Sequence, residues 1–230
     1  MIEINPIADL KRPAPLASRK RVLSLEELKT FWTATAALDW PFGPVYRLLL
    51  LTGQRRDEVA AMSWEEVDLA NGVWIIPGER CKNGEEHTVD LSPQALAILE
   101  ALPGERRGFM FTTTGTTSVS GFSKSKVRLD GLMSEALGGA PEPWRLHDLR
   151  RSMATLMGEE LEIDTGVIER VLNHISGSQG GLQGVYQRQQ YKQKRKAALL
   201  AWGAVIERLV SGGDESGNIV QFPHVASAAE

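Results

Sequence analysis

His147 and Arg150 stand three apart in the run His147-Asp148-Leu149-Arg150-Arg151-Ser152, so on the first turn of a helix they point the same way. A planar guanidinium can hold two oxygens of a phosphate, and an imidazole beside it can donate a hydrogen bond or exchange a proton. Other residues of the chain offer groups for the same kind of corner. In Thr52-Gly53-Gln54-Arg55-Arg56-Asp57-Glu58, Arg55 follows a helix-ending glycine and Glu58 lies three residues on, where its carboxylate can orient the guanidinium. Lys82 sits in a turn beside Asn83-Gly84, from which an ammonium can swing onto a leaving oxygen. His174 ends an apolar segment. Of three tyrosines, Tyr46, Tyr186 and Tyr191, the second follows a run of glycines and precedes a basic helix. Taken singly, each of these residues more often serves a solvated surface or ordinary packing. Together they offer the groups for a phosphate-reaction corner.

The elements that must position this set are mostly helical. Ser24 and Glu27 form a capping box ahead of Leu25, Leu28, Phe31 and Trp32 at helical spacing. A second helix runs through Val45 to Leu51 and stops near Gly53, and Arg55 to Met62 reads as a short third one. Between Glu66 and Leu91 the helical period disappears. Val67-Asp68-Leu69, Val73-Trp74-Ile75-Ile76 and His87-Thr88-Val89-Asp90-Leu91 read as three short strands, joined at Asn71-Gly72 and by a longer Pro77-to-Gly84 connection that carries Lys82. Ser92-Pro93 caps the next helix. Phe109-Met110-Phe111 reads as a brief strand and Phe122 to Leu137 as a helix. The helix that opens at His147 has Met153, Leu156 and Met157 on one face, and Thr165 to Leu172 is a further amphipathic segment. Beyond the glycines at 177, 180, 181 and 184, Tyr186 to Val210 is helical again. The expected fold is mainly α with a small three-stranded antiparallel sheet. Residues 1–21, with Pro6, Pro13 and Pro15, read as a linker or arm from a missing N-terminal DNA-binding domain, 22–210 as a catalytic domain, and 211–230 as a flexible tail.

Composition limits the alternatives. At 230 residues and 42% hydrophobic, the chain can bury one sizeable core. Cys81 is the one cysteine, which leaves no disulfide framework and no thiolate metal cage. No stretch reads as a signal peptide, and the longest uncharged apolar run, Ala197 to Ile206, is about half of what a spanning helix needs, so a cytoplasmic protein with no membrane partner is expected. The net charge of −3 argues against a generic nucleic-acid binder. The basic residues are nonetheless gathered at Arg19-Lys20-Arg21, at Arg145/Arg150/Arg151 and at Lys192/Lys194/Arg195/Lys196. No carboxylate cluster has metal-binding spacing, so neither metal nor other cofactor is expected in the chemistry.

Thr-Gly-Gln-Arg-x-x-Glu at 52 to 58, the turn Lys82, His147-x-x-Arg150, Leu172-Asn173-His174 and a later tyrosine resemble, in order, the motifs of the tyrosine recombinases, and most of all those of phage and prophage-island integrases. The resemblance spans roughly Val22 to Leu209. It implies that Arg55 and Arg150 hold the scissile phosphate, that Lys82 and His147 transfer protons, that His174 donates a late hydrogen bond and that Glu58 supports the first arginine. It selects Tyr186 as the nucleophile, because Tyr186-Gln187-Arg188 with Tyr191 following resembles the tyrosine motif of the prophage-island branch. Asn173, where many members have glycine, is similar to the same branch. Lys124, Lys126 and Arg151 are expected DNA contacts. The function implied is site-specific recombination through a 3′-phosphotyrosyl link. The implied partners are double-stranded DNA attachment sites, further copies of the chain and accessory DNA-bending proteins. Two other functions suit the same residues: nicking and resealing in the manner of a type IB topoisomerase, and DNA binding by a regulator without catalysis.

Overall fold

The computed structural model describes residues 20–174 and 182–212, with side chains from 191 onward in the second stretch. Its first three helices are α1 (Leu25–Thr35), α2 (Phe42–Thr52) and α3 (Arg56–Ala60). Strands β1 (Val67–Asp68), β2 (Val73–Ile76) and β3 (His87–Asp90) follow, and then α4 (Pro93–Glu100), α5 (Phe122–Leu137), α6 (Leu146–Glu159), α7 (Thr165–Val171) and α8 (Leu182–Ser211). The strands make one antiparallel sheet in the order β1-β2-β3, with Val67 opposite Trp74 and Ile76 opposite His87. The mainly helical fold with a small antiparallel sheet is the one expected from the residue pattern.

The core is built around α2, whose residues from Leu48 to Thr52 are all buried. An apolar helix with no polar face has to be enclosed, and α1, α4, α6 and α8 pack around it. From α8, the fully buried Trp202 donates its indole N–H to the Leu50 carbonyl at 2.9 Å. The approach of α8 to the start of α4 requires a glycine: a Cβ on Gly203 would stand 2.7 Å from the Ser92 side chain. Ser24 and Ser92 cap α1 and α4 through their hydroxyls, as the sequence indicates.

Three local expectations are corrected. Phe109 to Phe111 is not a strand; Phe109 makes a single bridge to Ser63, and Met110 N–H donates to the Met62 carbonyl. Helix α2 begins at Phe42 rather than Val45. Arg55 lies before α3 rather than in it, in extended conformation at φ −69°, ψ 148°. The cause is Glu58, whose carboxylate accepts the Arg55 backbone N–H at 2.7 Å and so caps the helix one residue later. The glycine-rich stretch at 175–181, the first 19 residues and the tail from 213 lie outside the described residues.

Candidate active site

The site is assembled at the turn between α2 and α3. Gly53 ends α2 in the left-handed region (φ 64°), and a Cβ there would meet the Met153 sulfur at 2.5 Å. Glycine at this point both reverses the chain and lets the turn press against α6. Arg55 emerges from that turn half-buried, its guanidinium 2.7 Å from the carboxylate of Glu58, which is only 4% exposed. The expected support of Arg55 by Glu58 is thus a buried clamp rather than a surface pair.

Arg150 reaches the same turn from α6. It is 3% exposed; Nη1 donates to the Gly53 carbonyl at 2.6 Å and Nη2 to the Leu172 carbonyl. Its Nε is buried and has no hydrogen-bond partner among the described residues. Burial holds the Arg150 pKa down at about 10, with the nearby Arg55 guanidinium as the second cause and Glu58 opposing. Two cations thus lie within electrostatic reach of each other and of one carboxylate, an arrangement that an anion would relieve.

His147, one turn earlier on α6, stands exposed at the mouth while Arg150 lies beneath. Desolvation depresses the His147 pKa first, and the charges of Arg150 and Arg151 add to it. The exposed His174 is depressed by desolvation and then by Arg150 and Arg55, with a further contribution from His147. Arg55, Arg150, His147 and His174 therefore lie within one another's electrostatic reach. Gln54, Arg55, Arg56, Lys126, His147 and Arg150 line a single cleft of about 540 Å³.

The corner that carries His174 is tied down from several directions. The Val171 carbonyl accepts from Gln54 Nε2 at 2.9 Å and lies 3.2 Å from His87 Nε2. Asn173, at φ 52°, exchanges side-chain hydrogen bonds with Asn83, the neighbour of Lys82. That contact brings the turn between β2 and β3 to the corner, with Lys82 exposed upon it. At the base of α6, Ser152 Oγ accepts the Leu23 N–H at 2.7 Å and donates to the Asp148 carbonyl, while Asp148 receives the Arg145 N–H.

The expected DNA contacts divide. Lys124 is exposed, Arg151 pairs with Asp148, and Lys126 pairs with Asp130 while its ammonium lies 3.8 Å from the centre of the Trp144 ring. Tyr186 is carried on the backbone of α8, and its side chain lies outside the described residues. Of its rivals, Tyr46 is fully buried, and Tyr191 stacks beneath the Arg170 guanidinium at 3.5 Å. Sequence reasoning missed the parts played by Gln54, His87 and Asn83. A polar residue inside a recurring motif was a signal for Gln54; nothing in a strand histidine or a turn asparagine announced the other two. Among the described residues no group of three or more His, Cys, Asp or Glu could hold a metal ion, and no described helix is long and apolar enough to cross a membrane.

Known proteins resemble this chain in sequence and in fold. The chain is 29% identical over 178 residues to prophage integrase IntA of Escherichia coli K12, covering 77% of this chain and 42% of that protein. It is 28% identical over 185 residues to the integrase of Salmonella phage P22, covering 77% and 45%. It therefore spans less than half the length of either relative. Among solved structures, a lambda integrase dimer bound to a core site superposes with a TM-score of 0.55 at 20% identity, over 74% of this chain and 65% of that one. The XerH recombinase bound to its difH substrate superposes at 0.54 with 18% identity, over 77% and 56%. These last two show the shared fold. The sequence profile of the phage integrase family matches residues 21–191, and the chain belongs to that family.

Proposed function

We propose that this chain is the strand-transfer centre of a site-specific recombinase that integrates or excises phage or prophage DNA. The observation that carries the reading is the convergence of Arg55 and Arg150 on one cleft, Arg150 held on the Gly53 carbonyl and Arg55 clamped by the buried Glu58 carboxylate. Two guanidiniums on the non-bridging oxygens of a phosphodiester would neutralise the charge that builds as a nucleophile attacks. They would also favour phenolate character in a nearby tyrosine, whose reference pKa of about 10 otherwise makes it a poor nucleophile at neutral pH. Tyr186 is the nucleophile: the alternatives are fully buried (Tyr46) or stacked beneath an arginine (Tyr191).

Lys82 and His147 move the protons, one of them protonating the departing 5′ oxygen. His174 donates a hydrogen bond to the phosphate. The depressed pKa values of both histidines keep them neutral near pH 7, so each can donate from one ring nitrogen and accept at the other. The 3′-phosphotyrosyl product keeps the energy of the broken bond for rejoining to a second strand. The partners are double-stranded DNA attachment sites and other copies of the chain; accessory DNA-bending proteins complete the complex. The family match supports transfer between two sites over simple relaxation of supercoils or binding without cleavage. Lys124 and Arg151 contact the DNA backbone in this reading.

The test is covalent capture. Incubated in chelator with nicked duplexes of randomised sequence, the chain is expected to form a protein–DNA adduct, and Tyr186→Phe to form none. Persistence of the adduct in that variant would refute the assignment of Tyr186, and no adduct with any duplex would refute the reading.

A further inference from the structure

Asn173 is a residue in an unusual conformation with an unusual attachment. Its φ of 52° is left-handed, a region that side-chain-bearing residues rarely enter, and it is 8% exposed. Its side chain is engaged across 90 residues of sequence: Asn83 Nδ2 donates to Asn173 Oδ1 at 2.8 Å, and Asn173 Nδ2 donates back to Asn83 Oδ1 at 3.4 Å. Asn83 Oδ1 also accepts the Glu85 N–H at 3.3 Å, and the Gly84 N–H closes the turn onto the Cys81 carbonyl at 3.0 Å. Lys82 and Asn83 are the two central residues of that closed turn. Among the described residues, the hydrogen bonds that tie Lys82 and Asn83 to the fold outside their own connection both run through Asn173, while the buried Cys81 anchors the foot of the turn through its Sγ on the Ile76 carbonyl at 3.8 Å.

We infer that the Asn83–Asn173 side-chain pair positions the proton-donating Lys82 over the scissile phosphate, fastening its turn to the corner that also bears His174. This rests on the proposed function, with Lys82 rather than His147 taken as the group that protonates the leaving oxygen. A lysine on a four-carbon stem at the tip of a two-stranded hairpin is otherwise free to sample solvent, and proton transfer demands hydrogen-bond reach. The corner is itself fixed by Arg150 on the Leu172 carbonyl and by Gln54 on the Val171 carbonyl. A clasp at Asn173 therefore refers the lysine to the same rigid frame that holds the phosphate-binding arginines. Asn83 and Asn173 are positioning residues; neither is assigned a contact with the reacting atoms.

Asn173→Gly is the informative variant, because glycine accepts φ 52° without strain and only the clasp is lost. Asn83→Ala removes the other half. The full 230-residue chain is tested on the duplex recovered by covalent capture, made with either oxygen or sulfur at the 5′ bridging position. A thiolate leaves without a proton, so the sulfur duplex needs no Lys82. Each single variant is expected to slow cleavage of the oxygen duplex about tenfold, a fraction of what a general acid contributes. Cleavage of the sulfur duplex should stay within about twofold of the parent, since the arginines and nucleophile are untouched. The double variant should be no slower than either single, because one interaction is removed.

Trypsin supplies a readout without DNA: cutting after Lys82 should quicken about fivefold in both variants as the turn opens more often. Equal slowing on both duplexes, unchanged cleavage of the oxygen duplex, or an unchanged tryptic rate would each overturn the clasp. Absence of any adduct from the parent chain would instead overturn the reading of the site, while the tryptic rates still reported on the clasp.

Discussion

The two halves of the proposed site are built in opposite ways. On one side stand the α2–α3 turn, the start of α6 and the end of α7, where Arg150 is 3% exposed and spans two backbone carbonyls, and Glu58, 4% exposed, clamps Arg55. On the other side stands the turn between β2 and β3, where Lys82 is exposed and its neighbour Asn83 reaches the frame through a side-chain pair with Asn173. The difference follows from what each half has to do. Groups that stabilise charge act best when their geometry is set before the reaction, and burial sets it. A group that delivers a proton has to arrive at an oxygen whose position changes as the bond breaks, and a surface turn permits that. The buried half joins folding to function through shared atoms, whereas the exposed half is separable from folding.

That contrast can be broken by substitution. The largest effect is expected from Arg150→Lys, which keeps a charge but cannot span the Gly53 and Leu172 carbonyls. Covalent adduct formation should fall about a thousandfold, and unfolding should cost about 2 kcal/mol less, because carbonyls once satisfied are left buried. For a chain of this size that corresponds to a melting temperature lower by about 4–8 °C, read by calorimetry or circular dichroism. Lys82→Ala should reduce cleavage about a hundredfold and leave the melting temperature within about 2 °C of the parent. An Arg150→Lys protein that melts like the parent, or a Lys82→Ala protein that melts early, would erase the distinction.

A smaller effect sharpens the same comparison through pH. Burial holds the His87 pKa down at about 4, with the charge of Arg195 as the next cause. In the unfolded chain a histidine titrates near 6.5. The unfolded state therefore binds the extra proton between about pH 6.5 and 4, and the stability His87 confers is present above that window and lost as pH falls through it. The loss amounts to about 3 kcal/mol at the low end. In His87→Gln, whose amide can still donate to the Val171 carbonyl, the decline in unfolding free energy from pH 6.5 to 4 should be shallower by that amount. An identical decline in parent and variant would place the titration elsewhere.

How much of this was readable in advance differs between the same two halves. The caps at Ser24 and Ser92, the strand order and the span of α5 were legible because each rests on local periodicity or capping chemistry. The pairs Arg55 with Glu58 and His147 with Arg150 were legible because each is spaced three residues apart at the start of a helix. The length of α3 was not, since it is decided by a carboxylate folding back on the Arg55 N–H. Phe109 to Phe111 looked like a strand because its residues are apolar, yet it finds one bridging partner at Ser63 and no ladder. The tie between Asn83 and Asn173, and the convergence of Gln54 and His87 on the Val171 carbonyl, join residues more than 80 positions apart. No local pattern encodes such pairs; they exist only once the sheet is docked against α7.

The central claim is that Arg55 and Arg150 present one phosphodiester to Tyr186. The most direct measurement is to digest the covalent adduct with trypsin and find which peptide carries the nucleotide, since Tyr186 falls in the peptide of residues 171–188 and Tyr191 in that of residues 189–192. The account predicts the nucleotide on 171–188. Its recovery on 189–192, or on the peptide that contains Tyr46, would contradict it.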